Sequence, residues 1–167
     1  MIFHKASKVL ACIGLISASA TSVAETWGPF AIVEPTPISE LWLNAGFYSY
    51  HFQKDKGFNN QNWGVGGEYR YSTTSSIVVG SSYNSVRRTS HYAGWHWRPL
   101  ALGPVNFGLV AGGVNGYPGA NNGGWFPMVL PAASFEYKRV GANLILIPHV
   151  SNVVYGALSL QVKVKLY

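Results

Sequence analysis

Apolar and polar side chains alternate along most of the chain after residue 40, most clearly near the C-terminus. The apolar positions there are Leu158, Leu160, Val162, Val164 and Leu166, and the polar positions between them are Ser159, Gln161, Lys163 and Lys165. A period of two indicates a β-strand with one apolar and one polar face. In a barrel that spans a membrane, the apolar face contacts lipid and the polar face lines the lumen.

Eight segments of this kind follow one another, each near the roughly 9–11 residues that a tilted strand needs to cross a bilayer. The predicted strands are Leu41–Gln53, Asn62–Ser72, Ser75–Ser85, Thr89–Arg98, Val105–Asn115, Trp125–Tyr137, Val140–His149 and Val153–Tyr167. An even number of antiparallel strands can close without an unpaired edge. The pattern therefore predicts an all-β fold, an eight-stranded antiparallel transmembrane β-barrel. Glu68 and Arg70 fall on the inward face of the second strand and are expected to pair in the lumen.

The connections between these strands alternate in length. Lys54–Gln61 and Gly116–Gly124 are long and polar, whereas Thr73-Thr74 and Lys138-Arg139 are tight. In outer-membrane barrels the short turns face the periplasm and the long loops face outward. His51, at the end of the first strand, is therefore expected at the cell surface.

The N-terminal residues predict export. Lys5 and Lys8 precede the apolar run Val9–Ala18, and Ser22-Val23-Ala24 has the small residues of a cleavage site, so residues 1–24 are interpreted as a secretory signal peptide. Residues 25–40 form a lead-in segment and 41–167 the barrel. Cys12, the only cysteine, would be removed, which leaves no disulfide. An aromatic-rich chain with few charges favours an outer-membrane barrel of a Gram-negative cell, with a soluble periplasmic β-barrel or sandwich as the alternative.

The charge pattern limits the classes of partner. Twelve Lys and Arg residues stand against six Asp and Glu, and removal of Lys5 and Lys8 lowers the net charge from +6 to +4. The basic residues do not form the dense patch that nucleic-acid binding needs, so no nucleic-acid partner is expected. The sequence has no metal-ligand cluster, glycine-rich phosphate loop or dinucleotide motif, so no cofactor is expected.

Histidines, serines and cations are predicted to gather at the outer rim. Asn84-Ser85 and His149-Val150-Ser151 end strands that run outward, as His51 does. The basic residues at the same level are Lys54, Lys56, Arg87 and Arg88. Cations at this depth can bind lipid A phosphates, and a histidine can act as a general base on an ester or a hydroxyl. The alternative is an interfacial histidine without a reaction.

Five segments resemble, in order, the lipid A palmitoyltransferase family. They are Glu40-Leu41-Trp42-Leu43 leading to Tyr50-His51; Phe58-Asn59 with Trp63-Gly64-Val65-Gly66; Trp97-Arg98-Pro99-Leu100; Val129-Leu130-Pro131-Ala132-Ala133-Ser134; and Ile147-Pro148. The resemblance covers nearly the whole mature chain. It implies an acyltransferase that moves palmitate or a similar chain from a phospholipid to lipid A in the outer leaflet. We expect the protein to be a monomer.

The resemblance also implies roles for the rim residues. His51 matches the family's essential histidine and would be the general base. Asn84-Ser85 match its aspartate and serine, with an amide in place of the carboxylate. Ser85 would then be a nucleophile or a hydroxyl that orients substrate, and Asn84 would orient the imidazole or polarise an oxyanion.

The acyl-chain pocket is the second implied site. A gap-free count places His96 where the family has a glycine at the pocket floor, so a shorter chain is expected. Pro131 and Pro148 lack a ladder donor and would interrupt pairing between adjacent strands, where the family admits an acyl chain sideways. Gly64 and Gly66 would leave room for the ligand. The family's amphipathic N-terminal helix is poorly matched, since Pro35 and Pro37 interrupt that segment.

Two other functions remain open. His149-Val150-Ser151-Asn152 resembles the motif of the lipid A 3-O-deacylase family, with His149 and Ser151 expected on one strand face. That family needs a glutamate about a dozen residues onward, where this chain has Lys163. The other possibility is a structural or adhesive barrel without catalysis, for which Asn84 would be the sign.

Overall fold

Eight strands close into a barrel in the computed structural model, which describes residues 26–151 and 153–167. The strands are β1 (Thr26–Trp27), β2 (Phe30–Ile32), β3 (Pro37–His51), β4 (Gln61–Ser72), β5 (Ser75–Tyr83), β6 (Thr89–Leu102), β7 (Val105–Val114), β8 (Phe126–Tyr137), β9 (Val140–Ile147) and β10 (Ala157–Lys165), with single 3₁₀ turns at Lys54–Lys56 and Asn121–Gly123. Strands β3 to β10 each pair antiparallel with the next, and β10 pairs with β3. The predicted antiparallel eight-stranded barrel is confirmed.

The faces of the wall follow the predicted alternation. On β10, Val162 is 50% exposed on the outside, whereas Gln161 and Lys163 are buried in the lumen. The same division holds on β4, where Trp63 is 72% exposed and Glu68 is completely buried. An apolar exterior around a polar interior is the arrangement of a barrel surrounded by lipid. Among the described residues, no helix has the length and apolarity to span a bilayer.

The two ends of the barrel differ as the sequence predicted. Turns at 73–74, 103–104 and 138–139 join strands at one end, which also holds the start of β3 and the end of β10. Loops 52–60, 84–88, 115–125 and 148–156 lie at the other end. His51, the last residue of β3, lies at this long-loop end. The rim residues of β3, β5 and β9 therefore share one side of the membrane.

The lead-in segment contributes to the wall. Strand β3 begins at Pro37, and β1 and β2 form a hairpin through Gly28, whose φ of 61° suits a residue without a Cβ atom. Ile32 pairs with Leu100 on β6, beyond the point where β5 begins. Residues 26–36 thus contain strands and no helix. The predicted signal peptide, residues 1–24, lies outside the described residues.

Ion pairs fill the lumen at the short-turn end. We refer to this set as the lumen ion cluster; it consists of Glu40, Glu68, Arg70, Arg98, Glu136, Lys163 and Lys165. Glu68 lies 3.2 Å from Arg98 and 3.0 Å from Lys163. Arg70 pairs instead with Glu40 and Glu136, so the predicted Glu68–Arg70 pair is wrong. Both side chains point inward, but Glu68 pairs with cations from other strands and Arg70 with carboxylates from other strands.

Candidate active site

His51 is held at the mouth of the lumen by a residue of the next loop. Its side chain is 6% exposed, and Nδ1 lies 2.8 Å from Oδ1 of Asn60. An amide oxygen can only accept a hydrogen bond, so Nδ1 carries the proton in a neutral ring. Nε2 is then the basic nitrogen of the imidazole.

Two aromatic rings pack against one another and against this histidine. The ring of Phe58 lies 4.8 Å from the His51 imidazole, and Tyr155 lies 4.7 Å from Phe58. Phe58 belongs to the loop 52–60 and Tyr155 to the loop 148–156, so these ring contacts join the loops of two neighbouring hairpins. Neither Asn60 nor Tyr155 is among the site residues predicted from sequence, although the Asn-rich stretch 59–62 is a signal for the first of them.

Hydrogen bonds attach loop 52–60 to loop 84–88. The backbone N–H of Asn59 donates to the Ser85 carbonyl at 2.9 Å, and the Asn59 amide donates to the Asn84 carbonyl at 3.3 Å. Arg87 donates to the Gly57 carbonyl at 2.9 Å. These contacts bring Ser85 to the same part of the rim as His51, as predicted from the strand ends.

Asn84 organises its own loop. Its amide nitrogen donates to Ser90 Oγ at 2.8 Å and to the Gly116 carbonyl at 2.9 Å. Its Oδ1 accepts the backbone N–H groups of Val86 and Arg88, each at 3.0 Å. Both amide donors and the oxygen are therefore occupied. This geometry does not support the predicted orienting role, which Asn60 fills instead.

Ser85 faces a tyrosine from a third loop. The side chains of Ser85 and Tyr117 both border the cavity described below, and burial raises the pKa of Tyr117 above its ordinary value. The phenol therefore keeps its proton at neutral pH. Two hydroxyl groups thus lie together near the mouth, where one can donate a hydrogen bond to a bound oxygen atom.

A cavity of about 350 Å³ extends from this rim into the barrel. His51, Asn84, Ser85, His96 and Pro148 all border it. Its wall includes apolar side chains from β5, β7, β8 and β9, among them Val78, Val110, Met128 and Ile145. An apolar cavity with a few polar groups at its mouth is suited to a hydrocarbon chain with a polar head.

The wall is interrupted beside this cavity. Strands β8 and β9 pair from Tyr137 with Val140 to Ala132 with Ile145, and the ladder then ends. Pro131 is the next residue of β8, and Pro148 follows the last residue of β9. Proline has no N–H to donate, which explains why pairing stops here. The interruption lies between the two strands that the prolines indicated.

The glycines of β4 do not border the cavity. The Tyr92 hydroxyl packs against Gly66 and Gly80, and Ser82 occupies the position above Gly64. The space predicted for a ligand at Gly64 and Gly66 therefore holds protein side chains. Gly66 must lack a Cβ atom because Tyr92 reaches over it, and the prediction that these glycines form the pocket is corrected.

The four predicted phosphate contacts lie on the outer loops. Lys54 stands 5.3 Å above the Tyr50 ring, and Lys56 is 4.0 Å from Asp55. Arg87 and Arg88 are exposed on the loop 84–88. All four can meet anionic groups at the membrane surface.

The deacylase-like motif does not lie on a strand. β9 ends at Ile147, and Val150 bridges to Val154 in a turn that exposes His149 and Ser151. Lys163 belongs to the lumen ion cluster near the other end. Asn152 lies outside the described residues. The expected shared strand face of His149 and Ser151 is wrong, because the chain turns before it reaches Ser151.

Fold and site together define a transmembrane β-barrel with an internal apolar cavity and a histidine at its outer mouth. No family model matches the chain. It is similar to lipid A acyltransferase PagP from Laribacter hongkongensis (strain HLHK9), with 28% identity over 129 residues, which cover 72% of this chain and 62% of that protein. This similarity confirms the resemblance seen in the sequence motifs.

Designed transmembrane β-barrels share the fold. One matches with a TM-score of 0.53 at 13% identity, covering 80% of this chain and 100% of the design. The solution NMR structure of the designed barrel TMB2.3 matches with a TM-score of 0.54 at 13% identity, covering 80% of this chain and 96% of the design. At this identity the likeness concerns the architecture alone.

Proposed function

We propose that this protein is an outer-membrane acyltransferase that moves a fatty acyl chain from a phospholipid to lipid A. The observation that carries the proposal is the position of His51, buried at the mouth of an apolar cavity with its Nδ1 atom held by Asn60. The similarity to a lipid A acyltransferase supports the choice of substrates.

His51 acts as the general base in this reaction. Its Nε2 atom takes the proton from a lipid A hydroxyl, and the hydroxyl oxygen forms a bond with the ester carbonyl carbon of the phospholipid. The ester C–O bond then breaks, and the imidazolium returns the proton to the departing glycerol oxygen. The products are acylated lipid A and a lysophospholipid.

The hydroxyl groups of Ser85 and Tyr117 assist at the same mouth. Both border the cavity mouth, where one of them donates a hydrogen bond to the ester carbonyl oxygen and stabilises the negative charge that this oxygen gains in the transition state. Asn84 supports the site indirectly, because its four hydrogen bonds shape the loop that carries Ser85.

The donor chain enters through the interruption between β8 and β9. Pro131 and Pro148 bound an unpaired part of the wall that faces the outer half of the membrane, beside the cavity. Lys54, Lys56, Arg87 and Arg88 attract the phosphates of lipid A on the outer surface. Export by the predicted signal peptide brings the barrel to the outer membrane of a Gram-negative cell.

Mass spectrometry of lipid A tests the proposal. Cells that express the chain should gain lipid A with one added acyl chain, together with lysophospholipid, and cells that express His51→Ala should not. His149→Ala, which changes the histidine of the exposed turn, is the matched control and should retain the added chain. Loss of a hydroxyacyl chain would instead indicate a deacylase, and unchanged lipid A would indicate a barrel without catalysis.

A further inference from the structure

The inner end of the cavity is polar, although most of its wall is apolar. His96 from β6, Asn143 from β9 and Gln161 from β10 border the cavity there, and all three are buried. The Asn143 amide donates to Gln161 Oε1 and accepts from Ser134 Oγ, both at 2.8 Å, and the Gln161 amide donates to Tyr92, so both residues have partners within the protein. His96 is 1% exposed, and its Nε2 atom has no hydrogen-bond partner among the described residues.

A pocket that binds only an unsubstituted hydrocarbon chain does not explain why an imidazole nitrogen is buried there without a hydrogen-bond partner. Burial of a polar nitrogen without a partner is unfavourable, and buried polar groups in proteins are nearly always hydrogen-bonded. A methyl end that reached His96 would exclude water and leave Nε2 unpaired. A ligand with a polar group at this depth would satisfy the nitrogen.

The depth of the cavity places the distal part of an acyl chain beside His96. Ala157 and Gln161 both border the cavity, and four residues of strand span about 13 Å. With the usual barrel tilt of about 40°, this is about 10 Å of depth, compared with about 15 Å for the hydrocarbon of one leaflet. The lumen ion cluster limits deeper entry, because Ser76, the register partner of His96 on β5, donates a hydrogen bond to Glu68 at 2.8 Å.

We propose that the Nε2 atom of His96 binds a hydroxyl group on the distal half of the donor acyl chain. This inference rests on the proposed acyl transfer and names its donor class: a phospholipid whose transferred chain is short and hydroxylated. The apolar wall contacts the methylenes, and the imidazole recognises the hydroxyl. A site with a buried polar group discriminates strongly against an analogue that cannot pair with it.

A competition between two donors tests the selectivity. The purified full-length chain in detergent micelles receives lipid A and equal amounts of two phosphatidylcholines, whose chains match in length but differ in a hydroxyl near the tail. The hydroxylated chain should be transferred at least about tenfold faster. His96→Phe should bring the product ratio close to one, and His91→Phe, on the outer face of the same strand, should keep the native ratio. Equal transfer by the native protein, or a native ratio in His96→Phe, would overturn the proposal.

A binding measurement separates this inference from the proposed catalysis. The ¹⁵N resonance of His96 Nε2 should shift when a free fatty acid with a hydroxyl near its tail is added, and should not shift with the plain acid of equal length. This result would hold even if no acyl transfer occurred. If both acids gave the same spectrum, the nitrogen would be paired with water and the hydroxyl subsite would be rejected.

Discussion

The side-chain oxygen of Asn60 lies 2.8 Å from Nδ1 of His51, so the chain itself determines which imidazole nitrogen is basic. The family resemblance predicts Asn84 as the orienting group, because it stands where that family has an aspartate. Its amide is instead engaged with Ser90, Gly116 and two backbone N–H groups of its own loop. The orientation of His51 therefore does not depend on the Asn84 side chain.

Substitution at Asn60 should change the rate of acyl transfer without unfolding the barrel. Asn60→Leu removes a part-buried neutral hydrogen bond, and we expect the rate to fall about three- to tenfold. Asn60→Asp keeps an acceptor and adds a negative charge that favours the protonated imidazole. The acidic limb of the pH–rate profile should therefore move about one unit to higher pH. An unshifted profile for Asn60→Asp would show that Asn60 does not act through His51.

A disulfide across the interrupted wall should block the reaction. If the β8–β9 ladder continued past Ala132 and Ile145, Leu130 would lie opposite Ile147. The pair Leu130→Cys and Ile147→Cys should lose most transfer when oxidised and regain it with reductant. Phe135→Cys with Ala142→Cys, on the outer face of the intact ladder, is the control and should be insensitive to oxidation. Equal activity of the oxidised and reduced gap variant would exclude this route of entry.

The lumen ion cluster should contribute strongly to stability. Glu68→Gln leaves the buried Arg98 and Lys163 without one of their carboxylates, and the free energy of unfolding should fall by about 3–5 kcal/mol. Asp55→Asn also removes a carboxylate beside a lysine, but its side chain is 78% exposed, so the change should be below about 1 kcal/mol. Urea unfolding followed by tryptophan fluorescence measures both. Similar urea midpoints for Glu68→Gln and Asp55→Asn would mean that the lumen ion cluster does not stabilise the barrel.

The contact between Gly66 and Tyr92 predicts a sharp difference between neighbouring glycines. A methyl group at Gly66 would meet the Tyr92 hydroxyl and lie 2.7 Å from the Val79 carbonyl, whereas one at Gly67 has no atom within 4 Å. Gly66→Ala should lower the free energy of unfolding by about 1–3 kcal/mol. Gly67→Ala, compared in the same urea series, should stay close to the native protein. A native midpoint for Gly66→Ala would contradict the packing of Tyr92.

Local patterns were sufficient to predict the barrel. A period of two depends only on neighbouring residues, so it indicated eight strands, their inward and outward faces, and the end at which His51 stands. The charged residues Glu68 and Arg70 were placed inward for the same reason. Prolines also act locally, because each lacks an N–H, and they indicated where the β8–β9 ladder ends.

Contacts between distant residues depend on strand register and loop paths, and these required the tertiary structure. Glu68 pairs with Arg98 and Lys163 because β6 and β10 present them at its level, not with Arg70 on its own strand. Tyr92 fills the space above Gly66 from two strands away. Likewise, closure of loop 52–60 placed Asn60 beside His51, while loop 84–88 engaged Asn84. The alternation of residues thus determined the wall, and closure of the barrel decided which side chains meet inside it.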